Sequence, residues 1–92
     1  MPKNEAESIK WYLMAAGGGD LVSQLALGTM FVNGRGVKQD FVQAYSWFTI
    51  VAQGGSRVMT SQALDVRDLI EQMMTSAQIE EAETIAAVWT PR

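Results

Sequence analysis

Apolar residues recur along this chain at the spacing of one helix face after another. Ala44, Trp47, Phe48 and Val51 stand at i, i+3, i+4 and i+7, which places them on one side of a helix. Ser8, Trp11, Tyr12 and Ala15 have the same spacing. Leu27, Met30 and Phe31 form a stripe between these two, and Val66, Leu69, Ile70 and Met73 form another after them. Ile79, Ala82, Ala86 and Trp89 mark a last helix, which Pro91 stops. Polar punctuation agrees with the apolar pattern. Asp20 is placed to cap the second helix, and Asp40 with Gln43 and Thr75 with Gln78 read as capping boxes. Gly17–Gly19 and Gly54–Gly55 supply left-handed stops. Five helices and no strands are predicted.

The faces around Trp11 and Trp47 are copies of each other. "SIKWYLMAAGGG" (Ser8 to Gly19) lies over "AYSWFTIVAQGG" (Ala44 to Gly55) at a constant offset of 36. Trp11 matches Trp47, Tyr12 matches Phe48, Ala16 matches Ala52, and the closing glycines match. A fixed period in this range marks a solenoid, in which each helix pair buries its apolar face on the next. The expected fold is therefore all-α, an α/α solenoid (superhelix) of antiparallel helix pairs with about five helices, in one domain over residues 1–92. A partial first repeat is expected at 1–19, a complete repeat at 20–55 and a C-terminal capping helix pair at 56–92. Gly28 sits inside the second helix, where glycine costs ~1 kcal/mol against alanine. Close approach of a neighbouring ring, Trp47 or Tyr12, is the expected compensation.

The segment "FVNGRGVKQDF" (Phe31 to Phe41) invites a phosphate-loop reading and does not satisfy it. Such a loop needs G-x-x-x-x-G-K-[ST] after a strand, so that backbone N–H groups converge on the anion. Here one residue separates the glycines, position 39 is Gln39, and a helix leads in. Gly34 and Gly36 suit positive φ in a turn between two helices, with Val37 folded back onto the core.

Composition narrows the chemistry. The 92 residues are 48% hydrophobic and 18% charged, with no cysteine and no histidine. Disulfides, thiolate metal sites and nucleophile systems built on histidine are excluded. No enzyme activity, cofactor or metal is expected. Asp65, Asp68 and Glu71 stand at i, i+3 and i+6, which reads as a solvated acidic face rather than a catalytic pair or cation site. Glu80, Glu81 and Glu83 suit the N-terminal half of the last helix. The net charge of −3 is uneven: residues 1–57 carry +1 and residues 58–92 carry −4. There is no basic stripe for nucleic acid and no apolar run of ~18 residues for a membrane span. "MPKNEAESIK" lacks the apolar centre of a signal peptide, and the compartment stays open.

The stretches "WYLMAAGGGD", "LALGTMFVNGRGVKQDFVQAYSWFTIVAQGG" and "RDLIEQMMTSAQIEEAETIAAVW" resemble the Sel-one-like repeats, the tetratricopeptide-like class of helix pairs. The middle stretch carries the pattern most fully, from "LG-x-M-aromatic" through "NGRGV-x-QD" to "A-x-x-W-F-x-x-x-A-x-x-G". The last resembles the capping helices that close such arrays. Ser23 stands where the family usually has alanine, and Met14 where it often has lysine. The resemblance implies a protein–protein interaction scaffold or adaptor without catalytic activity. Only one complete unit is present, and the first pair has only its second helix.

Candidate contact residues follow from the helix at 21–31. Beside its Leu27/Phe31 stripe, Val22, Leu25, Thr29 and Val32 form a second, mostly apolar face, and a helix apolar on both sides is buried on both sides. That face is expected to meet a protein partner, another chain or a missing repeat, and the exposed N-terminal repeat face is expected to be covered either by the rest of a longer array or by a second copy in a homodimer. The alternative function is a small acidic regulator or inhibitor that offers its C-terminal face to a basic cleft. Trp11 and Trp47 are expected in the core, with Trp89 closing the last helix pair. Met59, Met73 and Met74 fit either a contact patch or gap filling.

Overall fold

Each helix begins where a side chain satisfies backbone N–H groups that the first turn leaves unpaired. The computed structural model describes residues 5–91, and among them are α1 (Glu5–Gly17), α2 (Leu21–Asn33), α3 (Phe41–Ala52), α4 (Arg57–Glu71) and α5 (Ser76–Val88), with no strand. The Asp20 carboxylate accepts from the Ser23 N–H at 3.3 Å and also from the Ser23 hydroxyl. The serine at a usual alanine position thus strengthens the cap of α2. Asp40 accepts from the Gln43 N–H at 3.1 Å to start α3, and Ser56 accepts from the Met59 N–H at 3.3 Å to start α4. Thr75 and Gln78 form both bonds of their capping box. Each such cap stabilises its helix by ~1 kcal/mol.

The glycine segment is a turn. Gly34 and Gly36 have φ of 68° and 77°, and the Gly34 N–H closes on the Met30 carbonyl. The Asp40 N–H donates to the Phe31 carbonyl at 3.0 Å and Gln39 Nε2 to the Val32 carbonyl at 2.8 Å, which folds the loop against the end of α2. Val37 packs on the cluster of Ile9, Ala16 and Leu27.

α3 is the hub of the solenoid. α2, α4 and α5 all pack on it, while α1 packs on α2. The main core gathers Ala44, Tyr45, Phe48 and Val51 of α3 with Ala63 and Ile70 of α4 and Ala82 of α5. Gly28 shows why α2 tolerates a glycine: a Cβ there would stand 2.7 Å from the Phe48 ring, which is fully buried. The expected close approach is present, with Phe48 in the place proposed for Trp47 or Tyr12. The buried Ser46 hydroxyl lies 2.7 Å from the Val42 carbonyl and 3.2 Å from that of Ala82, joining α3 to α5. Arg67 of α4 lies over the Tyr45 ring at 5.2 Å and donates to the Thr49 hydroxyl at 3.2 Å.

Three expectations are corrected. Trp11 is not in the core: it is 61% exposed. Its copy Trp47 is half-buried because Trp89 meets it edge to face, centroids 6.0 Å apart at 71°. One repeat earlier the place of Trp89 falls at Gln53–Gly54, which have no ring to cover Trp11. Trp89 therefore closes α5 onto α3, not onto α4. On α4, Ile70 and Val66 pack inward, whereas Leu69 and the following Met73 are exposed. Met59 and Met74 pack on the core.

Gly28→Ala is expected to lower stability by about 1–3 kcal/mol, because overpacking against Phe48 outweighs the ~1 kcal/mol gained in helix propensity. Phe48→Ala is expected to cost about 3–5 kcal/mol, a large part of the ~5–15 kcal/mol typical of a domain. Urea denaturation measures both. Burial pushes the Tyr45 phenol above its ordinary value of 10; Arg67 opposes the rise, and Glu71, Glu83 and Asp68 add to it. The folded state thus holds this proton more tightly than the unfolded state. The associated stability is present below pH ~10 and lost as pH rises through the higher folded value. Thermal melts from pH 9 to 11 should show wild type losing stability more steeply than Tyr45→Phe.

Candidate protein-docking groove

A groove of about 510 Å³ runs between α1 and α2. Ser8 and Tyr12 of α1 form one wall. Val22, Leu25, Ala26, Thr29 and Met30 of α2 form the other, and Asn33 and Arg35 stand at one end. The groove has two walls because the Gly18–Gly19 turn folds α2 back along α1. Gly19 has φ of 100°, and the Asp20 N–H reaches the Ala15 carbonyl at 3.1 Å. Buried Gln24 fastens the pair, donating through Nε2 to the Ala16 carbonyl at 3.1 Å.

The groove surface is mostly apolar. The Thr29 hydroxyl donates back to the Leu25 carbonyl of its own helix at 3.0 Å, so its hydrogen-bonding capacity is spent within α2. Val22 is 65% exposed and Tyr12 is 37% exposed. Of the four candidate contact residues, Val22, Leu25 and Thr29 line this groove. Val32 does not; it is half-buried and packs on the main core, as Leu25 also does in part. Ten residues, nearly three turns, separate Val22 from Val32, and the fraction of a turn left over carries the later residue round to the inward face of α2. The missed participants are Ser8 and Tyr12. Their signal was the 36-residue copy itself, which sets them opposite the buried Ala44 and Phe48.

α1 exposes four apolar residues in succession, Trp11, Tyr12, Leu13 and Met14. On its far side Leu13, Met14 and Gly17 border a second hollow of about 490 Å³ with Trp47, Ile50, Ile85 and Trp89. The acidic candidates are apart from both. Asp65 and Asp68 are exposed on α4, Glu71 is half-buried, and Glu80, Glu81 and Glu83 are exposed on α5. Among the described residues no group of three or more acidic side chains is gathered closely enough to hold a metal ion. Among them too, no helix is long and apolar enough to cross a membrane.

The Sel1 repeat profile matches residues 1–20 and 21–56. No curated protein matches the chain. The crystal structure of a protective antigen present in uropathogenic Escherichia coli strains, which displays an SLR fold, superimposes with a TM-score of 0.85. That match has 27% sequence identity and covers 97% of this chain but only 18% of the antigen. With more than half its length matched by the repeat and its fold shared with a solved member of that architecture, the chain belongs to the Sel1 repeat family.

Proposed function

We propose that this chain is a protein–protein interaction scaffold with no chemistry of its own, and that the α1–α2 groove receives the partner. Sel1 repeats as a class mediate protein–protein interactions. The observation that carries the reading to this groove is its apolar lining, in which Tyr12 of α1 and Val22 of α2 stand exposed on facing walls. A helix apolar around most of its circumference is stable where something covers it, and a contiguous apolar patch on a folded surface marks an interaction site. Contact through such a groove depends on burial of apolar area and is nearly insensitive to salt. An acidic regulator gripping a basic cleft through α4 and α5 would lose affinity steeply as salt rises.

Capture of partners from the native host, with identification by mass spectrometry, gives the material for the test. Val22→Glu with Thr29→Glu places two charges in the groove at exposed positions. The pair is expected to reduce partner retention at least tenfold, with a thermal midpoint within a few degrees of wild type, since surface substitutions away from packed features change stability by only about 0.5 kcal/mol each. Retention of the same partner is expected at high salt. A partner held equally by wild type and the double variant, and released by salt, would place the contact on the acidic face instead. Tyr12→Ala is expected to change stability by under ~1 kcal/mol, against the ~3–5 kcal/mol expected for its repeat copy Phe48→Ala, because α2 lies over Phe48.

A further inference from the structure

We infer that Trp89–Pro91, the segment that follows α5, is a strap that holds the angle between α1 and α2 and so the width of the groove between them. How the groove is held does not depend on what it receives. The joint between the two helices is built to bend. Gly17 ends α1, Gly18 and Gly19 follow it, and Gly19 stands at φ of 100°. Three glycines in succession have no side chains to narrow their backbone conformations, so contacts from outside the joint must set its angle. The apolar hold between α1 and α2 is small: its buried members are Ile9, Ala16 and Leu27, against seven buried residues in the core around α3.

The second copy of this joint shows what the first one adds. The bond from Gln24 to the Ala16 carbonyl recurs 36 residues later, where the Thr60 hydroxyl donates to the Ala52 carbonyl at 3.4 Å. Gln53 replaces the first of the three glycines. The left-handed glycine recurs as Gly55, φ 86°, with nothing within 4 Å of where its Cβ would stand. At Gly19 the same place is taken: Pro91 lies 3.6 Å from it. Pro91 arrives there from the other end of the fold. α5 packs on α3, Trp89 leaves the helix and sets its ring edge to face on Trp47, and Pro91, its φ fixed by its own ring, continues to the α1–α2 joint. Trp89 and Pro91 border a hollow of about 390 Å³ with Gly19, Gln24 and Gly54. On its other side Trp89 borders the hollow that Leu13, Met14 and Gly17 of α1 help to line. One residue of the strap is thus anchored on the hub helix, and the other bears on the joint.

Double electron–electron resonance on the intact chain measures the angle. The chain has no cysteine, so spin labels attach only where Lys10→Cys on α1 and Gln62→Cys on α4 place them, both at exposed positions. Pro91→Gly removes an exposed ring and leaves the Trp47–Trp89 stack in place. It is expected to widen the label-to-label distance distribution about twofold, as a glycine joint relieved of a contact samples more angles, with a thermal midpoint within a few degrees of wild type. Trp89→Ala, which frees the whole strap, is expected to widen it further. Val88→Ala, at an exposed position of α5, is expected to leave it unchanged. The same distribution in wild type and both strap variants, narrow or wide, would overturn the strap. So would a widening that Val88→Ala produces to the same extent.

Discussion

The contact between Gly28 and the Phe48 ring holds the complete repeat together. The absence of a side chain on α2 lets a fully buried aromatic ring of α3 lie directly against helix backbone. That close approach sets the distance between the two helices, and the other contacts of the repeat depend on it. α3 then has Ala44, Tyr45 and Val51 free to receive α4 and α5, and the Arg67–Tyr45 and Ser46–Ala82 contacts lock those helices at polar points. A methyl group in the wrong place would move the hub helix and everything stacked on it. Close packing explains this sensitivity: interiors at crystal-like density transmit small displacements instead of absorbing them.

The fold was readable in the sequence because its elements are specified locally and then repeated. The stripe at Ala44, Phe48 and Val51, the caps at Asp20, Asp40 and Thr75, and the turn glycines 34 and 36 each act within a few residues. What was misread depends on neighbours distant in sequence. Trp11 and Trp47 are identical in local pattern, yet only Trp47 has Trp89 beside it, and that difference lies forty-odd residues away. Leu69 and Met73 fit a helical stripe, but α5 turns onto α3 and leaves them uncovered. The site was readable to the same degree. Periodicity placed Val22, Leu25 and Thr29 on an outward face, while the opposite wall at Ser8 and Tyr12 belongs to another helix and needs the α1–α2 pairing to be known. Ser56 as the cap of α4 was missed because serine carries less weight alone than in a box; its offset of 36 from Asp20 was the available clue.

A repeat protein meets its partners with the same physics that builds it. In the interior, a seat made of one helix wall and one aromatic ring is filled by the next helix of the chain. At the α1 edge, Ser8 and Tyr12 line an open groove that no described residue fills. Apolar burial supplies affinity of order 25 cal/mol per Å² but little discrimination. Discrimination comes from shape: the Phe48 ring leaves no room for a side chain at position 28 of the helix that covers it.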